Sequence, residues 1–252
     1  MKAALVVPRL FPDIAVNLGT MERMAAEAVM GGAELILFPE AVLTGLINND
    51  DPGHDTLLGQ TIPGPASDRL GTFCARHGVW LGFGLIERQG GRLYDSAVLL
   101  RPDGSIALKY RRNQPQWHGK NADPNVYCEG SEIGAARTPF GTVAFLLCGD
   151  LFDDQIVLRF RSLGADWLLF PFARDLTDGT ADQARWDREE LPEYLRRIQM
   201  AQTPALMVNY LADGSLGGDH SIGGAYFVSA QGEVLARQPL GVEGSLVLDT
   251  GV

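Results

Sequence analysis

Three groups with chemical capacity stand at the ends of apolar runs in this sequence. Glu40 follows "LILFP", a basic cluster of Lys109, Arg111 and Arg112 follows "SIAL", and Cys148 closes "VAFLL". A carboxylate among apolar neighbours can work as a general base, because burial raises its pKa toward neutrality. A thiol at a strand-to-helix junction can work as a nucleophile, with backbone amides to hold an oxyanion. A cation between them would hold developing negative charge. Each also has a plainer reading taken alone: Cys148 as a core cysteine, Glu40 as a turn residue, the basic cluster as a charged edge strand.

The elements that must position these groups show an internal echo. "GAELILFPEA" (32–41) returns as "GADWLLFPFA" (164–173), and each copy reads as a buried strand that stops at a proline. Each follows a helical segment. In the first, Leu18, Met21, Met24, Ala25, Ala28 and Val29 recur at helical spacing; in the second, Ile156, Val157, Phe160 and Leu163 do so. Before each helix lies another apolar strand, "KAALVVP" or "GTVAFLLC", so two strand–helix–strand units are expected.

Between the units a helix is expected over 65–77, then three antiparallel strands, "GVWLGFGLIE", "LYDSAVLL" and "SIALKYRR", joined by Gly-rich or Pro-Asp-Gly turns. A helix over about 188–202, a strand "PALMVNY" and short strands near 224–229, 233–237 and 245–249 follow. Loops are expected at 48–63, 112–138 and 173–185. The reading is one α/β domain over 1–252, built from two related halves, with chemistry at the carboxyl ends of strands.

Composition narrows the function classes. With 21 Lys and Arg against 31 Asp and Glu, the formal charge is -10, which disfavours nucleic acid and anionic membranes as partners. Three scattered cysteines (74, 128 and 148) make no disulfide framework and no CxxC pair. No run approaches the roughly 20 apolar residues of a membrane span, and the apolar run before Pro8 is short for a signal peptide. A cytoplasmic protein is expected. The histidines at 54, 77, 118 and 220 lack metal-ligand spacing, and "GFGLIE" lacks the third glycine of a dinucleotide fingerprint, so neither metal nor cofactor is expected. "GDHSIGG" sets Ser221 beside His220 without the strand–elbow–helix context of a serine hydrolase, and the loop "QPQWHGK" reads equally as a substrate contact or a staple.

Taken together, "ELILFPEAVLTG", "GSIALKYRR", "VAFLLCGDLF", "GADWLLFPFA" and "SIGGAYFVSAQGEVLA" resemble, in order and spacing, the nitrilase superfamily of carbon–nitrogen hydrolases. The resemblance implies a four-layer αββα sandwich, commonly paired into a homodimer or higher homo-oligomer, and a Glu–Lys–Cys triad. Glu40 matches the general base and Cys148 the nucleophile, in a C-x-D sequence completed by Gly149 and Asp150. It implies hydrolysis of a small amide-type substrate through a cysteine thioester, with a cation and a backbone amide stabilising the oxyanion. Asp123 matches roughly where the family places a supporting glutamate, and Arg174 where it lines its pocket; with Gly149 these are the expected substrate-binding residues.

One position departs. The family pattern Tyr-Arg-Lys-x-His reads here Tyr110-Arg111-Arg112-Asn113-Gln114, so Arg112 stands at the lysine. Arginine keeps the charge but gives up no proton. Lys109 is expected on the opposite face of the strand, and Lys120 reaches the site only if its loop folds over it. The alternative is a homologue that keeps the fold as a binding protein without catalysis.

Overall fold

The computed structural model describes residues 1–176 and 178–251. The first half runs β1 (Lys2–Val7), α1 (Ile14–Met30), β2 (Leu35–Leu37), α2 (Pro52–Leu58), α3 (Pro65–His77), β3 (Trp80–Gln89), β4 (Arg92–Leu100) and β5 (Ile106–Arg111). The second runs β6 (Ala135–Thr138), β7 (Gly141–Phe145), a 3-10 turn (Cys148–Phe152), α4 (Asp154–Arg161), β8 (Trp167–Pro171), α5 (Gln183–Glu189), α6 (Leu191–Ala201), β9 (Ala205–Val208), β10 (Ala225–Val228) and β11 (Val234–Gln238). A last strand, β12 (Gly244–Asp249), returns to the first half and pairs antiparallel with β1.

Two six-stranded sheets result, ordered β12-β1-β2-β3-β4-β5 and β11-β10-β9-β8-β7-β6. In each, three parallel strands (β1, β2, β3 or β7, β8, β9) form the centre, and antiparallel strands flank them. The repeated "FP" segments occupy equivalent places, at and just beyond β2 and β8, so the sequence echo is a structural duplication.

Residue parity builds the layers. Along β1, Ala3, Leu5 and Val7 enter the core between the sheets, while Ala4 and Val6 join the packing under α1 and α3. Central parallel strands are covered on both faces, which explains their unbroken apolar sequences. On the far side Ile156, Val157 and Phe160 of α4 and Tyr194 and Ile198 of α6 close the second sheet. The architecture is a four-layer αββα sandwich. Among the described residues no helix is long and apolar enough to cross a membrane.

Four details depart from the sequence reading. Helix α2 lies inside the expected loop 48–63; Asp51 caps it through the Gly53 amide and Pro52 opens it. Strand β6 lies inside the expected loop 112–138. The helix expected near 188–202 is α6, starting at Leu191 with Pro192 in its first turn, and a separate short helix, α5, begins inside the expected loop 173–185. Leu163 lies beyond the end of α4 and is 37% exposed, not on its buried face.

The "GFG" of β3 has a steric purpose. A Cβ on Gly84 would stand 2.5 Å from Glu40 Cα, 2.8 Å from Ala41 N and 2.9 Å from Pro39 O. The missing side chain lets the strand following β2 lie against β3, with Phe38 N donating to Gly82 O, Gly84 N to Pro39 O and Val42 N to Gly84 O. Gly84→Ala is therefore expected to cost about 1–3 kcal/mol, as overpacking of a backbone contact does, and to displace Glu40. Urea unfolding checks the stability. Gly19→Ala, inside α1 with nothing within 4 Å of the added carbon, serves as the control that is not destabilised and gains up to about 1 kcal/mol from helix propensity.

Candidate active site

Glu40 sits in the turn after β2 and is fully buried. The next residue, Ala41, has a φ of +44°, in the left-handed region. Cys148 follows β7 with a φ of +39° and opens the 3-10 turn. Non-glycine residues held there cost about 1–3 kcal/mol each, so both turns are maintained by their surroundings. The sequence reading puts Cys148 directly at a helix N-terminus. Instead α4 begins only at Asp154, capped by Asp153, and the nucleophile candidate lies in the turn before it.

Arg112 extends the β4–β5 pairing by one residue, its amide donating to Asp95 O at 2.8 Å. Its side chain is 3% exposed. Nη1 lies 3.2 Å from Glu40 Oε1 and 3.5 Å from Asp95 Oδ2, and Nη2 donates to Gln114 Oε1 at 2.8 Å. Alternation along β5 sends the other cations away. Lys109 Nζ and Arg111 Nη2 both meet Glu87 Oε1, at 2.8 and 2.6 Å. Burial alone would raise the Glu87 pKa, but its bonds to Arg111, Lys109 and Ser96 outweigh that and lower it. This is a structural ion cluster on the opposite face, as expected for Lys109. Lys120 is exposed and does not line the cavity at Cys148. Among the three candidates, Arg112 is the cation at the site.

Asp150 ties the two halves of the site together. Its Oδ1 accepts from the amides of Asn113 and Gln114 (2.9 and 2.8 Å), and Oδ2 from Tyr110 OH and Leu147 N (2.6 and 3.0 Å). The strand end bearing Arg112 is thereby fixed to the turn bearing Cys148. Gly149 completes the fit: a Cβ there would lie 2.2 Å from Arg112 Nη2 and 2.5 Å from Gln114 Oε1. The "C-x-D" spacing thus serves one glycine that admits the guanidinium and one carboxylate that anchors its strand.

A cavity of about 440 Å³ opens at this point, with Arg112, Gln114, Cys148, Gly149, Arg174 and Tyr194 among its walls. Cys148 Sγ contacts Ala173 O at 3.6 Å. Arg174 is not free in it; Nη2 pairs with Glu190 Oε2 at 2.7 Å. Glu190 holds that position because the α5–α6 break falls there. Phe152 and Tyr194 stack edge to face with centroids 4.9 Å apart and supply an apolar flank.

Of the expected site residues, the fold brings together Glu40, Arg112, Cys148, Gly149 and Arg174. Asp123 is a correction. It is exposed, its Oδ1 accepts from Asn125 N and Nδ2 at 2.9 Å, and it is absent from the cavity walls. A short acidic side chain in a turn satisfies its own backbone. Trp117 is a staple: it is buried against Tyr127, and Asn48 Nδ2 holds its carbonyl. Ser221 donates to Asp219 Oδ1 at 2.7 Å and belongs to a turn.

Asp95, on β4, is the residue that the sequence reading misses. It is buried beside Arg112 and Glu40. Burial first, then electrostatic repulsion from the Cys148 side chain when it is a thiolate, push the Glu40 pKa up to about 8. Burial and the neighbouring Glu40 carry Asp95 well above the ordinary carboxylate range. Burial alone would lower the Arg112 pKa; the charges of Cys148, Glu40 and Asp95 reverse this and raise it, so the guanidinium stays charged.

Comparison with known proteins bears on the family and the fold. The Carbon-nitrogen hydrolase family model matches residues 2–250. A bifunctional nitrilase/nitrile hydratase, NIT4A, from Lupinus angustifolius is 29% identical over 157 residues, 55% of this chain and 44% of that protein, so the match spans less than half the length of that relative. Omega-amidase NIT2 from Xenopus tropicalis is 24% identical over 235 residues, 88% of this chain and 78% of its own. A mutant of the amidase from Nesterenkonia sp. AN1, solved with the product of Michael addition of acrylamide at its active site cysteine, superposes with a TM-score of 0.79 at 21% identity, covering 99% of this chain and 92% of that one.

Proposed function

The chain belongs to the carbon–nitrogen hydrolase family, and from that premise we propose that it hydrolyses a non-peptide carbon–nitrogen bond of a small linear amide, carbamoyl compound or related substrate through a thioester on Cys148. The observation that carries this reading is the convergence of Glu40, Arg112 and Cys148 from three strand ends, with the Glu40–Arg112 pair buried at 3.2 Å and Cys148 on the same cavity as Arg112.

In this reading Glu40 takes the thiol proton as Cys148 attacks the carbonyl carbon. The charge that develops on the substrate's heteroatom is held by Arg112 and by the backbone at Gly149. The C–N bond then breaks, the nitrogen keeps the bonding pair and takes the proton from Glu40, and ammonia or an amine leaves. Water, activated by the same carboxylate, attacks the thioester; the C–S bond breaks and the thiol is restored. The cavity volume and the Arg174–Glu190 pair on its wall favour a small polar substrate over a bulky apolar one.

Intact-protein and peptide mass spectrometry after incubation with acrylamide and with a panel of small amides tests the reading. A covalent adduct on Cys148, absent in Cys148→Ala, together with amide turnover, is expected. Cys128, half-buried with Sγ 3.6 Å from Pro124 O, reports background alkylation in the same spectra. No adduct on Cys148 and no turnover of any amide would sink the proposal, and turnover that survives in Cys148→Ala would assign the chemistry elsewhere.

A further inference from the structure

The charges enclosed around Arg112 do not balance if every carboxyl group is ionised. Facing this cluster are Glu40 from the turn after β2, Asp95 from β4, Tyr110 and Arg112 from β5 and its end, Cys148 and Asp150 from the 3-10 turn, and Tyr194 from α6. Asp150 needs no extra proton, because four donors reach its two oxygens. Glu40 and Asp95 differ. Each has one oxygen at Arg112 Nη1, and each has the other, Glu40 Oε2 and Asp95 Oδ1, enclosed with no donor among the described residues. The two carboxyl groups lie within hydrogen-bonding reach of each other. Two carboxylate oxygens can form such a bond only if one of them carries a proton.

We propose that Glu40 and Asp95 hold one proton between them in the resting protein, and that Asp95 is a positioning residue that keeps the Glu40–Asp95–Arg112 group neutral while Glu40 works, Asp150 being held separately by its four donors. One proton shared by the pair supplies a donor where two carboxylates offer only acceptors. It also leaves the pair with a single negative charge against the single charge of Arg112. Two ionised carboxylates would leave a net negative charge in an enclosed site and oppose formation of the thiolate, as like charges do when they share a site.

The consequence for catalysis rests on the reading of Glu40 as the base. When Glu40 accepts the Cys148 proton, the pair becomes neutral and the new thiolate balances Arg112, so the net charge of these four groups does not change. The proton then goes from Glu40 to the departing nitrogen, and the shared proton stays with Asp95. Arginine, which cannot release a proton, is required only to hold charge. The proton traffic runs entirely through the carboxyl pair, and its apparent pKa values belong to the pair and not to either residue.

Infrared difference spectroscopy of the ligand-free protein tests this without any substrate, so its result stands apart from that of the amide experiment. Wild type at about pH 7 is expected to show the carbonyl band of a buried protonated carboxyl group, and to lose it as the pH is raised into the alkaline range and the pair ionises. The band is expected to vanish at about pH 7 in Asp95→Asn and equally in Glu40→Gln, because the remaining carboxylate pairs alone with Arg112. The rate of Cys148 alkylation by iodoacetamide, followed against pH, should lose in Asp95→Asn the inflection that wild type shows as the shared proton leaves. A wild-type spectrum without the band overturns the proposal. So does a band that persists in Asp95→Asn, since the proton would then belong to Glu40 alone.

Discussion

Arg112→Met is expected to destabilise the protein by about 3–5 kcal/mol, the cost of leaving a buried charge without its partner, and to abolish measurable turnover. Methionine has similar reach and packs well, so the cost does not come from an empty volume. It comes from Glu40 and Asp95, both fully buried and both served by the same Nη1, which are left with no cation. Gln114 Oε1 still accepts from Gln116 N at 2.9 Å, so that side chain is not orphaned. Arg112→Lys separates charge from shape. It restores an ammonium but forfeits the Nη2–Gln114 bond at 2.8 Å, and should cost only about 1 kcal/mol, the net worth of one hydrogen bond. Urea unfolding curves of the three proteins check this order. If Arg112→Met unfolds like wild type, Arg112 does not neutralise the cluster.

Glu40→Gln should act on rate and stability in opposite senses. Loss of the general base is expected to slow acylation of Cys148 by about 10²–10⁴-fold, read as the single-turnover rate of ammonia release from a small amide that wild type hydrolyses. Stability should move the other way with pH. A carboxyl raised from 4.5 to about 8 binds a proton in the folded chain that the unfolded chain has already released. Across that window each rise in pH therefore removes stability from wild type, and the loss is complete once the folded group has ionised. Glutamine has no such proton. The variant should match wild type near pH 5 and exceed it by on the order of a few kcal/mol near pH 9, with Arg112 still paired to Asp95. Thermal unfolding at both pH values decides it; a constant difference between the two proteins would show that removing Glu40 leaves the raised pKa in place.

Much of the fold was legible because it depends on local pattern. The repeated "FP" strands announced the duplication, and helical spacing from Leu18 to Ala28 marked the buried face of α1. The site was legible where a residue's place follows from its own strand. Glu40, Arg112 and Cys148 each end an apolar run, and alternation alone sent Lys109 and Arg112 to opposite faces.

What escaped was set by pairing between strands. Asp95 lies in "LYDSAVLL", which reads as an ordinary strand with one polar residue. Only the β4–β5 register, with Ser96 opposite Arg111, brings Asp95 beside Arg112. Asp123 misled because a carboxylate in the middle of a loop has no strand to aim it, and the turn claimed it instead. Helix α2 was within reach: Asp51-Pro52 is a cap followed by the residue best suited to a first helical position. In a stretch without apolar periodicity, that signal had no face to attach to.

The return of β12 to the first sheet gives the molecule an order of assembly. Its register joins Lys2 to Asp249 and Val7 to Gly244, nearly the whole chain apart in sequence. During synthesis β1 leaves the ribosome first and its outer partner last, so one edge of the first sheet stays open until the second half is made. An open apolar edge is where chains associate wrongly. Contacts of such long span also close slowly. The strand that completes the sandwich is therefore also the point at which the nascent protein is longest exposed to aggregation.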